Sequence, residues 1–209
     1  MPFMSSNCGQ PEPDVRGRVI VLNGIPCSGK STLARAFQAD LDEPWLGIDL
    51  DMFTPRLPPR RTWTEQRALR RIVAGGNAAV AAVAEAGNNI VIELVARKDP
   101  GASMTLVDLF ERLAALDVLV VCLRCSIESA ESREASRPDD MRGLVQRDYG
   151  NVEEDSFDAV VDTDTLTIPE QVALLRRALV VGSTGAFDRL HARLRHYAQA
   201  MDWRAFEAD

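Results

Sequence analysis

The sequence predicts an α/β domain built on a five-stranded parallel sheet with helices on both faces. Three observations carry that expectation. Five short apolar runs, rich in β-branched residues, are spaced along the chain, and helical patterns alternate with them at the spacing of βαβ units. A chain of 209 residues that is 46% hydrophobic and 26% charged can bury a full core, which excludes a disordered or fibrous protein.

Each element can be justified in turn. Arg18-Val-Ile-Val-Leu-Asn23 is the first strand, and it runs through a glycine-bearing turn into a helical pattern from Gly29 to about Leu41. Pro44 to Ile48 reads as the second strand, with Asp49-Leu50-Asp51-Met52-Phe53 at its carboxyl end. Thr54 to Arg61 holds three prolines together with Arg56, Arg60 and Arg61, the composition of an exposed loop. A long helix is expected from about Thr64 to Ala86, weakened at Gly75-Gly76. Asn89 to Val95 is the third strand, with Glu93 as the odd acid at its end. Ser103 to Leu116 reads as a helix, Val118 to Leu123 as the fourth strand, and Ser126 to Arg137 as a polar helix running into the charged turn Pro138 to Arg142. Phe157 to Val161 is the fifth strand, ended by Asp162-Thr163-Asp164, and Pro169 sits in the first turn of a helix to about Leu179, where its fixed φ is tolerated. After Gly182-Ser-Thr-Gly185, the residues Phe187, Leu190, Leu194, Tyr197 and Met201 recur at helical spacing. That stripe must be covered, either by the domain or by a second copy of the chain. The expected division is a disordered leader over 1–16, the α/β domain over 17–181 and a C-terminal helical extension over 182–209.

Charge and cysteine usage narrow the partners. With 24 Lys plus Arg against 31 Asp plus Glu, the net charge is −7, which works against binding duplex nucleic acid. No apolar run approaches the ~20 residues of a membrane span, and Pro2, Pro11 and Pro13 stand where a signal peptide would have an apolar core. A cytoplasmic protein is expected, monomeric or homodimeric. Cys8, Cys27, Cys122 and Cys125 are too few and too uneven for a disulfide framework. Cys122-Leu-Arg-Cys125 has metal-motif spacing but lacks a second ligand pair, so it reads as the end of a buried strand.

The chemistry is concentrated in one motif. Gly24-Ile25-Pro26-Cys27-Ser28-Gly29-Lys30-Ser31 matches G-x-x-x-x-G-K-[ST], directly after a strand and directly before a helix. Such a loop wraps phosphate oxygens with inward-pointing N–H groups, and its glycines let the backbone approach. Residues Gly24 through Thr32 are therefore the expected nucleotide contacts, with Lys30 on the β and γ phosphates and Ser31 on Mg2+. Cys27 reads as a small tolerated side chain within the loop. The fold is accordingly expected to be that of the P-loop NTPases. No Asn/Thr-Lys-x-Asp segment for guanine is present, and a short chain with acids ending strands two and three fits a small kinase using ATP. Asp51 is the expected base for the acceptor hydroxyl, with Asp49 its rival. Glu93 would be paired or would hold Mg2+ through water. Arg133 and Arg137, four apart on one helical face, and Arg142 beyond them form an expected lid over the transferring phosphate.

These residues together resemble chloramphenicol phosphotransferase. The resemblance runs from Arg18 to Leu179 and rests on Arg18-Val-Ile-Val-Leu-Asn-Gly24, Ser28-Gly-Lys-Ser31, Glu43-Pro44-Trp45-Leu46 ahead of Asp51, Arg124-Cys125, and Arg133-Glu134. It implies an ATP-dependent kinase that phosphorylates a primary hydroxyl, with Asp51 at the position of the base. Where that family has two adjacent acids at strand three, this chain has Glu93-Leu94, and the loop after Asp51 differs, so the expected acceptor is a small-molecule hydroxyl, either that of an antibiotic such as chloramphenicol or that of another metabolite. Ile48-Asp-x-Asp-x-Phe53 and Ile90-Val-Ile-Glu93 are similar to the zeta toxins, which implies the same fold and base with a UDP-amino-sugar as acceptor. A nucleotide-binding regulator without an acceptor reaction is the remaining reading, and it would need neither Asp51 nor Glu93.

Overall fold

The computed structural model describes residues 16–50, 66–137, 142–155 and 157–200. The elements run β1 (Val19–Asn23), α1 (Lys30–Asp40), β2 (Trp45–Asp49), α2 (Gln66–Glu85), β3 (Asn89–Leu94), α3 (Pro100–Leu113), β4 (Val118–Arg124), α4 (Ile127–Glu134), α5 (Leu144–Asp148), β5 (Ala159–Asp162), α6 (Ile168–Val181) and α7 (Ala186–Gln199).

The five strands are parallel and ordered β2-β3-β1-β4-β5. From β1 the chain passes to the sheet edge as β2, returns inward as β3 beside β1, and then crosses to build β4 and β5 outward on the other side. The order therefore reverses at β1, and the crevice above its carboxyl end is where such sheets hold ligands. Alternation along the strands divides the core into two layers. Val19 and Val21 of β1, with Ile90 and Ile92 of β3, face a cluster containing Ala81 of α2, Phe110 of α3 and Leu190 of α7. Ile20 and Leu22, with Val121 of β4, face Leu33 and Phe37 of α1 and Val172 and Leu175 of α6. Both faces of the central strands are thus covered, which is why their sequences are continuously apolar.

Several boundaries have local causes. Helix α3 begins at Pro100, three residues before Ser103, because Asp99 caps it by accepting from the Ala102 N–H and Pro100 fits the first turn. Helix α2 continues through Gly75 and Gly76. Helix α5 has no counterpart in the sequence reading. It is seated by tertiary contacts, since the carboxylate of Glu134 accepts from the N–H groups of Gly143 and Val145.

The apolar stripe of α7 is covered from within the chain. Leu190 and Leu194 are fully buried, and Phe187 stacks on Phe110 of α3 with 4.8 Å between ring centroids. Tyr197 belongs to a polar edge instead, where its hydroxyl donates to the buried carboxylate of Glu153 at 2.7 Å. Met201 lies outside the described residues. Cys122 is buried within β4, and Cys27, Cys122 and Cys125 are free thiols.

Candidate active site

The loop after β1 closes into a cradle that only particular residues permit. A Cβ on Gly24 would stand 2.6 Å from the Leu123 carbonyl oxygen and 2.7 Å from Ser28 Oγ, so a side chain there is excluded. Gly29 has φ of 100°, in the left-handed region that favours glycine. Cys27 adopts φ of 62°, the sole non-glycine residue with positive φ among those described. Such strain persists only where the surroundings enforce it, and here it bends the loop around its own centre.

Helix α1 opens from this loop with a bare N-terminus. Gly29 provides no side-chain cap and the first turn holds no acid, whereas α3 and α4 are capped by Asp99 and Ser126. The first N–H groups of α1 are thus left to a ligand, with the positive end of the helix dipole behind them. Lys30 folds back over the loop and donates to the carbonyls of Gly24 and Ile25, at 2.8 and 2.9 Å. Burial lowers its pKa to about 8, an effect partly offset by the Glu93 carboxylate. The Cys27 thiol is pushed up by burial, against the pull of Arg137, Lys30 and Arg133, and is therefore poorly suited to react as a thiolate.

Ser31 Oγ donates to Glu93 Oε2 at 2.6 Å. A hydroxyl and a carboxylate side by side on the cleft wall are hard oxygen donors, and among the described residues no cluster of three or more His, Cys, Asp or Glu side chains is present to hold a metal alone. That donor set fits Mg2+, which takes one or two protein groups and completes its shell with water and phosphate oxygens. The β2–β3 register places Asp49 beside Glu93, and Asp49 lines the same cleft. Asp51, the expected base, lies outside the described residues.

The arginines divide. Arg133 donates through Nη1 to the Cys27 carbonyl and Thr163 Oγ1, and through Nη2 to Asp164 Oδ1, which fixes it beside the phosphate loop. Arg137 lines the cleft, and its guanidinium makes no hydrogen bond or ion pair among the described residues. Arg142 turns away to the carbonyls of Arg137 and Ala135 at the end of α4.

The cleft has a volume of about 700 Å³, within the usual range for small-ligand sites. Sequence reasoning missed three residues that shape it. Asn23 ends β1 fully buried and bridges two segments, donating to the Glu153 carbonyl and accepting from the Ala96 N–H, both at 2.8 Å. Arg97 and Arg147 line the wall beyond β3. An asparagine ending an otherwise apolar strand was the available signal for Asn23. Arg97 sits in the loop after β3 and Arg147 in the five-residue α5, segments whose sequences carry none.

A family model for chloramphenicol phosphotransferase-like proteins matches residues 17–180. The chain belongs to that family. Its curated relatives include a Mycobacterium tuberculosis protein named "Putative O-phosphotransferase Rv2636", 40% identical over 58 residues. That match spans 28% of this chain and 24% of the relative, so about a quarter of the relative's length is matched. Among solved structures, a sugar kinase from Janibacter sp. HTCC2649 is similar with TM-score 0.55 and 20% identity, covering 80% of this chain and 99% of that one. The Mycobacterium tuberculosis APS kinase gives TM-score 0.55 and 15% identity over 79% of this chain and 98% of its own. The fold is thus that of the P-loop kinases. The phosphotransferase family and the P-loop cradle agree with each other, and no described helix is long and apolar enough to cross a membrane.

Proposed function

We propose that the protein is a kinase that transfers the γ-phosphoryl group of Mg·ATP to a hydroxyl of a small-molecule acceptor. The observation that carries this reading is the convergence on one cleft of the phosphate cradle, the Ser31–Glu93 pair and the arginines of the α4 segment. A protein that only bound nucleotide would need the cradle and the Ser31–Glu93 pair, but not a second carboxylate, Asp49, beside Glu93 on the same cleft wall.

In this reading residues Gly24 to Thr32 hold the phosphates, and Lys30 leaves the loop carbonyls to meet the β and γ oxygens. Ser31, with Glu93 behind it, would hold Mg2+, which when bound would supply charge neutralisation for the transfer. The acceptor oxygen bonds to the γ-phosphorus as the bond from that phosphorus to the β–γ bridging oxygen breaks. ADP departs, and the hydroxyl proton passes to a carboxylate after β2. We assign that role to Asp51, with Asp49 on the cleft wall as the alternative proton acceptor. Arg133 and Arg137 stabilise the charge that spreads over the equatorial oxygens in the transition state. Arg133 is already fixed in place, so its reorganisation cost is small.

The test is a mass-spectrometric screen of Mg·ATP with chloramphenicol, other hydroxylated antibiotics and UDP-N-acetylglucosamine, scored for the mass of one added phosphoryl group. Transfer to an acceptor should fall ~10²-fold or more in Asp51→Asn with ATP binding retained, the range for loss of a general base. Tight ATP binding with no transfer to any hydroxyl compound, unchanged in Asp51→Asn, would overturn the kinase reading in favour of a regulator.

A further inference from the structure

Helix α4 grips the phosphate loop at its strained residue. Cys27 holds φ at 62°, in the left-handed region that a residue with a Cβ disfavours. Its side chain shares a buried apolar cluster with Ala130 of α4 and Val145 of α5, and its carbonyl accepts from Arg133 Nη1 at 3.1 Å. Ala130 and Arg133 stand three apart in α4 and so share one face of it. The side chain and the carbonyl of Cys27 are thus held from the same helix.

Arg133 is itself anchored. Its Nη1 also donates to Thr163 Oγ1 at 3.2 Å, and its Nη2 donates to Asp164 Oδ1 at 3.3 Å. The other oxygen of that carboxylate, Oδ2, accepts from the N–H of Ser126, the N-cap of α4, at 2.7 Å. Asp164 therefore fastens α4 at its cap and, two turns on, at Arg133. Thr163 Oγ1 donates in turn to the Arg124 carbonyl at 3.3 Å, which ties the arrangement to the end of β4. Arg133 lines the cleft, whereas Thr163 and Asp164 do not.

We propose that Asp164, acting through Arg133, is a positioning residue that keeps the phosphate loop in its left-handed form before nucleotide arrives. This rests on the nucleotide-binding part of the kinase reading and gives Arg133 a task besides the one at the transferring phosphate. A loop already held in its binding shape loses less conformational freedom when a ligand enters, which strengthens binding. The expected sign is opposite to that of charge alone. The Ser126 N–H holds the Asp164 carboxyl below its usual range, so it is negative at neutral pH. A negative group near a phosphate site repels the ligand, and neutralising it would by charge alone tighten binding. Acting through Arg133, neutralisation instead frees the guanidinium, and Cys27 can then relax out of the conformation that shapes the cradle.

The test measures, by calorimetry on the full chain, the affinities of Mg·AMP-PNP and of Mg·tripolyphosphate, which fills the loop without a base. Asp164→Asn keeps an oxygen for the Ser126 N–H and removes the charge facing Arg133. It should weaken both ligands about three- to tenfold, the net worth of one hydrogen bond. Glycine adopts positive φ freely, so in a Cys27→Gly background the same substitution should cost less than about twofold. If Asp164→Asn fails to fold, Thr163→Val, which removes the acceptor of Arg133 Nη1, is read in the same way. Unchanged or tighter binding in Asp164→Asn, a loss confined to Mg·AMP-PNP, or an equal loss with and without Cys27→Gly would overturn the proposal. Failure of the wild-type protein to bind either ligand would sink the kinase reading and the proposal together, whereas the variants bear on Asp164 alone.

Discussion

Ser31 Oγ and Glu93 Oε2 lie 2.6 Å apart, joining the first turn of α1 to the end of β3 across the cleft floor. The carboxylate orients the hydroxyl by accepting its hydrogen bond, which leaves the hydroxyl oxygen's lone pairs free for a cation. Removing the negative charge should therefore act on the metal before it acts on the nucleotide. Glu93→Gln should raise the Mg2+ concentration that supports ATP binding by about 10–100-fold, the usual effect of losing an orienting partner of a metal ligand. Metal-free nucleotide affinity should be unchanged. Nucleotide titrations across a Mg2+ series would check this, and an unshifted Mg2+ midpoint would remove Glu93 from the metal site.

Lys30 makes a pH prediction with a definite sign. Burial lowers its pKa from 10.5 to about 8, so between those values the unfolded chain holds a proton that the folded protein has released. Stability rises with pH wherever the unfolded state binds more protons, and the contribution of Lys30 should therefore increase from about pH 8 to 10.5. Below pH 8 the ammonium is charged in both states and its contribution is flat. Phosphates at the loop favour the charged form, so nucleotide binding near pH 9 should take up a proton. Calorimetry in buffers of different ionisation enthalpy should detect that uptake in the wild type and not in Lys30→Met.

The parts that could be read from sequence are those that local pattern determines. β1, β3 and β4 are buried on both faces and so read as continuous apolar runs, and the phosphate loop depends on a fixed spacing of Gly24, Gly29 and Lys30. Helix α5 was illegible because five residues are too few for periodicity. It is held by Glu134 accepting from Gly143 and Val145 and by the arginines on Asp148. Asp148 and Glu153 are fully buried acids in polar segments, and nothing in their neighbourhoods separates them from solvated ones. Their partners Arg97 and Arg193 lie 51 and 40 residues away in sequence, distances that only the fold closes.

Two glycines should respond to alanine in opposite directions. Gly24→Ala puts a Cβ 2.6 Å from the Leu123 carbonyl oxygen, a backbone atom that cannot swing aside. It should cost about 1–3 kcal/mol, as overpacking does, and abolish nucleotide binding. Gly75 lies exposed within α2 with nothing within 4 Å of a new Cβ. Gly75→Ala should stabilise the fold by about 1 kcal/mol through helix propensity, a rise in melting temperature of roughly 2–4 °C for a chain of this size. Thermal melts of both variants would check the pair.

Helix α7 should prove indispensable to the sheet it covers. Leu190 is fully buried in the same cluster as Val21 of β1 and Ile92 of β3, and Phe187 stacks on Phe110 of α3. At the polar edge of the helix, Arg193 and Tyr197 hold the Glu153 carboxylate at 3.0 and 2.7 Å, and the carbonyl of that residue accepts from Asn23 at the end of β1. Packing and hydrogen bonding thus both connect α7 to the strand that precedes the phosphate loop. Leu190→Ala should destabilise the protein by about 2–5 kcal/mol, the range for a buried leucine that leaves a cavity. Tyr197→Phe removes one hydrogen bond to a carboxylate and should cost about 1.5–3 kcal/mol without opening a cavity. Urea unfolding would separate the two effects. A Leu190→Ala loss below that of an exposed substitution would show that α7 docks without supporting the core.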